Sequence, residues 1–265
     1  MQLIETLTSI TSDAQQQIDL PIGWNQGRSF FGGFSAAVAY QHARNGVDEN
    51  QPIRALTVSF VAPLKPGSAV LKRRILRQGK NVTQVAVEIE QEHAVGLSAL
   101  LTFGQARPSQ VQVTDAPKPD IPPREQNAGF RMPDSNLTPE FTRHYEYCLN
   151  VGAMPFSGQP EREFGGWVRY RNEAAPISVG LLLGLVDAWP PAVLPHLDKP
   201  APASSLTWTI EFPKPMDTRL QGTDWWQYVA YIDYPADGYG HTHAHIWDQH
   251  GELVAISRQT VTVFG

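Results

Sequence analysis

Cysteine is almost missing: there is one, Cys148, in 265 residues. A lone thiol excludes an internal disulfide and any Cys-rich metal site, and it suits a reducing compartment. Charge is sparse as well, at 18% Asp, Glu, Lys and Arg with a net charge of −5, and no basic patch marks a nucleic-acid surface. No run approaches the roughly 20 apolar residues that a membrane span needs. The first ten residues, Met1 to Ile10, lack the positive n-region of a signal peptide. These absences predict a cytoplasmic globular protein whose partners are neither nucleic acid nor membrane.

What is present is a large apolar core: 42% hydrophobic residues, 10% aromatic, in a chain longer than one core usually needs. The stretch Arg28 to Arg44 reads as a mostly apolar helix, with Gly32 and Gly33 at its entrance and Ala36, Ala37, Ala39 and Ala43 on several sides. Small residues let a sheet or a second helix come close, while Phe34, Val38 and Tyr40 supply bulk, so the helix belongs inside the fold. Gly32 and Gly33 also offer free N–H groups to negative charge.

Residues 2–10 predict a short amphipathic helix, and Ala14 to Leu20 a strand. After the central helix come strands over Arg54–Ala62, Ala69–Gln78, Val82–Glu92 and Leu97–Phe103, with turn signals at Gly79-Lys-Asn81 and Ala94-Val-Gly96. This is a helix lying on an antiparallel sheet, an α+β layer. From Gln105 to about Glu140 the chain is rich in proline (Pro108, Pro117, Pro119, Pro122, Pro123, Pro133) and predicts an extended connector.

Then the pattern returns. Phe141–Val151 and Gly166–Arg171 read as strands, and Pro176–Ala188 as a helix with proline in its first turn. Leu206–Pro215 repeats the character of Ile53–Pro63, and Ile246–Thr260 lies over Ile89–Phe103. The chain therefore reads as two copies of one module: residues 1–105, the connector 106–140, and residues 141–265. Each copy wraps its helix in a sheet, and the two sheets join edge to edge.

Five segments carry a family resemblance: Phe31-Gly-Gly-Phe34, Val58-Ser-Phe-Val-Ala-Pro-Leu-Lys-Pro-Gly67, Gly166-Trp-Val-Arg-Tyr-Arg171, Val186-Asp-Ala-Trp-Pro-Pro-Ala192 and Gly251-Glu-Leu-Val-Ala-Ile-Ser-Arg-Gln-Thr260. Their order resembles acyl-CoA thioesterase II and the wider thioesterase-like, double-hotdog group. The resemblance implies a double hotdog fold and hydrolysis of fatty-acyl-CoA thioesters without a cofactor, a metal or a covalent intermediate. It also implies an Asp on the second helix, a hydroxyl on the next strand and a Gln on the last. These fall on Asp187, on Ser205 or Thr207, and on Gln259.

Residue by residue, Asp187 follows Leu183 by four positions, at the margin of the helix's buried stripe and near its C-terminus, where the dipole disfavours a carboxylate. Burial and dipole both push such a carboxyl upward, towards the range of a general base. The plainer reading is an Asp that caps the turn before Trp189-Pro190 and faces water. Gln259 takes the place of Thr102 in the repeat, an asymmetry that puts the chemistry in the second half; the plainer reading is an exposed strand position. Ser205, Thr207 and Thr209 share one strand face opposite Leu206, Trp208 and Ile210. Backbone N–H groups at Gly32 or Gly33 are the expected oxyanion donors. His241, His243 and His245 point to one side of a strand, as metal ligands would. With no Cys or second cluster nearby they read as a solvent- or interface-facing row.

Two other functions stay open. Hotdog folds also resemble enoyl-CoA hydratases, although Ala192 stands where such a loop places His after the Asp. A non-catalytic acyl-CoA-binding module is the second. Because the two halves pair their own sheet edges, a homodimer is permitted without being required.

Overall fold

The computed structural model describes all residues except 114–117, 119–120, 125–128, 130, 133–137 and 265. The elements are α1 (Leu3–Thr8), β1 (Gln15–Leu20), β2 (Asn25–Gln26), β3 (Ser29–Phe30), α2 (Gly32–Arg44), β4 (Ile53–Phe60), β5 (Gly67–Gln78), β6 (Val82–Gln91) and β7 (Ala94–Gly104). There follow β8 (Tyr145–Val151), β9 (Glu163–Tyr170), α3 (Val179–Val186), β10 (Ala203–Glu211), β11 (Trp226–Ala236), β12 (Tyr239–Trp247) and β13 (Leu253–Val263). Among the described residues between 105 and 139 there is no strand or α-helix, and Pro117, Pro119 and Pro133 lie outside the described residues. The connector's Pro122 carbonyl accepts from Trp167 Nε1 at 3.2 Å, which ties it to β9.

Eleven strands form one antiparallel sheet in the order β1-β5-β6-β7-β4-β10-β13-β12-β11-β9-β8. Its two ends repeat each other: the last strand of each half is sandwiched between a short strand that follows the helix and the middle hairpin. The second half adds β8 as an extra edge. The halves meet where β4 pairs with β10, Thr57 opposite Thr209.

Alternation explains which face is the core. Leu56 and Val58 of β4, and Trp208 and Ile210 of β10, point inward and are buried, while Thr57 and Ser59 face out. Helices α2 and α3 lie on that inner face and pack on each other. Ala36, Ala37, Ala39 and Ala43 have no exposed surface, and Phe31 and Phe34 are sealed at the start of α2. Each buried Phe contributes roughly 1.5–3 kcal/mol of hydrophobic stabilisation. Phe31 stacks on Phe141 at 4.3 Å and Trp24 on His144 at 3.7 Å, so the entrance of α2 is gripped from the second half as well.

Several boundaries differ from the sequence expectations. Helix α2 begins at Gly32, four residues late, because Ser29 and Phe30 pair with Asn25 and Gln26 in a small hairpin. The β6–β7 turn is Glu92-His93, both with positive φ of 51° and 65°, rather than Ala94–Gly96. Gly96 lies inside β7, where a Cβ would come within 2.3 Å of Leu64 Cδ2. Pro176 is not in α3; it bridges to Gln221, and Ser178 caps the helix by accepting from the Leu181 N–H at 3.2 Å.

Candidate active site

Helix α3 ends at Asp187, in the bridge conformation φ −90°, ψ 0°. Its position gives the carboxylate two donors. Oδ2 accepts the Gly33 N–H at 2.6 Å and Oδ1 accepts Gln259 Nε2 at 2.8 Å. The first donor belongs to the opening turn of α2, the second to β13, so the carboxylate joins both halves of the chain. The amide of Gln259 must turn its nitrogen to the carboxylate, since only that end donates.

Gly32 and Gly33 are small because the helices nearly touch. A Cβ on Gly32 would sit 2.8 Å from both Asp187 Oδ2 and the Phe60 ring, and one on Gly33 2.9 Å from the Leu183 carbonyl. The expected use of Gly33 as an oxyanion donor meets this geometry: its N–H is taken by Asp187. The Gly32 N–H has no acceptor among the described residues.

The electrostatics oppose each other. Burial pushes the Asp187 carboxyl upward and the hydrogen bonds from Gln259 and Gly33 offset part of that, which leaves it at about 7 against its ordinary 3.8. The C-terminal dipole of α3 disfavours the anion, as read from the sequence; the N-terminus of α2, aimed at Oδ2, favours it.

Register decides where the hydroxyls point. A bulge between Ser205 and Thr207 breaks the strict alternation of β10. Ser205 pairs with the buried Val261 and therefore faces inward, on the side of Gln259, which is the partner of Trp208. Thr207 pairs with Thr260 on the outer face, together with Thr209. Leu206, expected inside, is the bulged residue and is exposed. So Ser205 and Thr207 do not share a face, and only Ser205 is on the side of the carboxylate.

The repeat needs one correction as well. Thr57 and Thr209 meet across the joint, Oγ1 to Oγ1 at 3.4 Å, which makes Leu56 the counterpart of Trp208. Leu56 pairs with Leu101 and Trp208 with Gln259, so Gln259 corresponds to Leu101 rather than Thr102. The turn between β12 and β13 is longer than Glu92-His93 and shifts the sequence alignment by one.

Sequence reading missed the tyrosines that encircle α3. Tyr145 Oη donates to Tyr170 Oη at 3.3 Å, Tyr170 Oη to the Leu181 carbonyl at 2.9 Å, and Tyr147 Oη to the Ala188 carbonyl at 3.0 Å. Gly184 makes room for them: a Cβ would lie 2.1 Å from Tyr170 Oη. The available signal was the Tyr-x-Tyr alternation in β8 set against a glycine in the facing helix.

His241, His243 and His245 face the outer side of β12. His243 Nδ1 lies 2.9 Å from Asp233 Oδ1, its ring stacks on Tyr231 at 5.0 Å, and Arg258 reaches the other oxygen of Asp233 at 2.9 Å. No group of three or more His, Cys, Asp or Glu among the described residues is arranged to hold a metal. Nor, among them, is any helix long and apolar enough to cross a membrane.

An antiparallel sheet with its helices gathered on one face is the hotdog arrangement, and solved structures share that fold. A hot dog protein of Alicyclobacillus acidocaldarius superposes with a TM-score of 0.87 at 24% identity, over 100% of this chain and 99% of its own. An acyl-CoA thioesterase II from Mycobacterium marinum does so at 0.79 and 19%, over 99% and 98%. The chain belongs to the acyl-CoA thioesterase family: the family's C-terminal domain matches residues 113–263 and its N-terminal domain residues 20–104. No curated protein matches the sequence.

Proposed function

We propose that the protein hydrolyses acyl-CoA thioesters to the free acid and CoA, as a double hotdog of two tandem modules, residues 1–105 and 141–265, joined by the connector 106–140. The observation that carries this is the single carboxylate, Asp187, held between Gln259 and the start of α2 and raised to about 7. A group tuned to that range serves as a general base near neutrality.

In the reaction, water lies against Asp187 and Gln259 with Ser205 as the third polar group. Its oxygen bonds to the thioester carbonyl carbon while Asp187 takes its proton. The oxyanion is held by donors that include the Gly32 N–H. It collapses as the C–S bond breaks, and Asp187 returns the proton to the sulfur of CoA. No cofactor is required. Thr207, on the outer face, takes no part.

The test is hydrolysis of acyl-CoA, from acetyl to palmitoyl, by Asp187→Asn and Gln259→Ala. Each lowers kcat by roughly a hundredfold or more. Full activity in both correctly folded variants overturns the assignment.

A further inference from the structure

The end of α3 is surrounded by phenols, and most are spent. Tyr145, Tyr147 and Tyr170 each donate to an acceptor inside the protein. Tyr228 does not: among the described residues its hydroxyl has no hydrogen-bond partner. It stands on β11 opposite the buried Ile246, so its side chain faces inward, towards the helices.

The ring is held in place. It lies flat on Trp189, 5.5 Å away at 11°, and Trp189 is in turn gripped edge-on by Tyr147 at 5.5 Å and Phe164 at 5.6 Å. Behind Tyr228 the backbone is pinned, because Gly165 of β9 comes so close that a Cβ there would be 2.0 Å from the Tyr228 carbonyl. Trp189 follows Asp187 by two residues, and the Tyr228 phenol lies within the electrostatic reach of that carboxylate. Burial, and next the charge of Asp187, hold the Tyr228 phenol well above its ordinary value. It therefore stays protonated, a donor, throughout the neutral range. Unlike its neighbours Tyr145, Tyr147 and Tyr170 it is only half-buried.

Thioester hydrolysis requires donors at the carbonyl oxygen, and the Gly33 N–H is occupied. Resting on the hydrolysis reading above, we propose that Tyr228 is a catalytic residue whose Oη–H donates to the thioester carbonyl oxygen, opposite the Gly32 N–H. As water adds, the carbonyl electron pair moves onto that oxygen and Tyr228 stabilises it. As the C–S bond breaks, the pair returns to the carbonyl. The phenol gives up no proton; the one proton in transit goes from water to Asp187 to sulfur.

Tyr228→Phe tests this, because it deletes the hydroxyl and keeps the ring on Trp189. Expected is a fall in kcat of roughly a hundredfold, with KM within about threefold and the melting temperature unchanged. A kcat within about threefold of the parent, or a loss confined to KM, overturns the proposal and makes Tyr228 a packing residue. A second measurement uses the CoA ketone in which a methylene replaces the thioester sulfur, in acetyl and palmitoyl forms, titrated by calorimetry beside free CoA. Tyr228→Phe weakens the ketone about tenfold and leaves free CoA unchanged, the loss of one hydrogen bond. Equal affinities for the ketone, or equal losses for ketone and CoA, overturn it.

The two readings fail separately. A parent protein that binds the ketone through Tyr228 but hydrolyses nothing refutes hydrolysis and keeps the contact. One that hydrolyses acyl-CoA with Tyr228→Phe fully active refutes Tyr228 alone. A parent protein that neither hydrolyses acyl-CoA nor binds the ketone refutes both.

Discussion

The Gly33 N–H donates to Asp187 Oδ2 across 2.6 Å, so the start of α2 is bound to the end of α3 by one short, charge-assisted contact. The positive end of one helix is placed against a carboxylate that the negative end of the other disfavours. Burial nonetheless wins, since the carboxyl remains at about 7 instead of its ordinary 3.8.

A pH profile of kcat follows from that value. Only the carboxylate form accepts a proton from water, so activity rises with pH and is half-maximal near 7. Gln259 lowers the carboxyl's pKa, and Gln259→Ala therefore moves the midpoint of its residual activity upward. A profile that is flat between about pH 5.5 and 8.5 excludes Asp187 as the base.

Stability runs in the opposite sense. The folded carboxyl sits above its unfolded value, so between 3.8 and about 7 the native protein binds more protons, and stability is lost as pH rises through that window. Asp187→Asn removes this loss. Asn also keeps both contacts, with its carbonyl towards Gly33 and its amide donating to a Gln259 whose own amide has turned over. The variant is expected to melt above the parent at about pH 8 and to lose that advantage by about pH 4. Thermal melts across this range decide it.

The bulge in β10 separates the two hydroxyls. Ser205→Ala is expected to lower kcat by roughly tenfold or more, and Thr207→Val to stay within about twofold of the parent. The reverse order would mean that β10 slides by one residue in the working enzyme, undoing the register in which Ser205 pairs with Val261.

Gly184 is a packing prediction. Ala there meets Tyr170 Oη at 2.1 Å and Tyr145 Oη at 2.8 Å, with little room to yield. Gly184→Ala is expected to destabilise by about 3 kcal/mol in urea melts. Deleting the nearer hydroxyl with Tyr170→Phe relieves part of the clash, so the double variant costs less than the sum of the two. Gly180→Ala costs less, because the atom it meets, Leu7 Cδ1 at 2.6 Å, ends a side chain that can rotate away.

Much of this was legible in the sequence. The strand and helix patterns locate α2, α3 and most strands of the one large sheet, because hydrophobic period is local information. Asp187 was legible for a related reason: a carboxylate at the edge of an apolar stripe contradicts its surroundings. What was not legible depends on register. Strict alternation put Ser205 with Thr207 and Leu206 with Trp208, and a single bulged residue regroups them. The turn at Glu92-His93 carries no glycine or asparagine to announce its positive φ. Gly33 offered a free N–H on paper, and only the approach of α3, some 150 residues later, fills it. Tyr228 carries no local signal at all, since what sets it apart is a hydroxyl with no partner among the described residues, where Tyr145, Tyr147 and Tyr170 each have an acceptor.

The joint between β4 and β10 also changes the thermodynamic order of folding. A sheet completed by a second molecule gains stability with concentration, by mass action. Here Thr57 finds Thr209 on its own chain, so the partner is present at a fixed effective concentration, in the millimolar range or above for a tethered segment. Dilution over several orders of magnitude then leaves the melting temperature where it was.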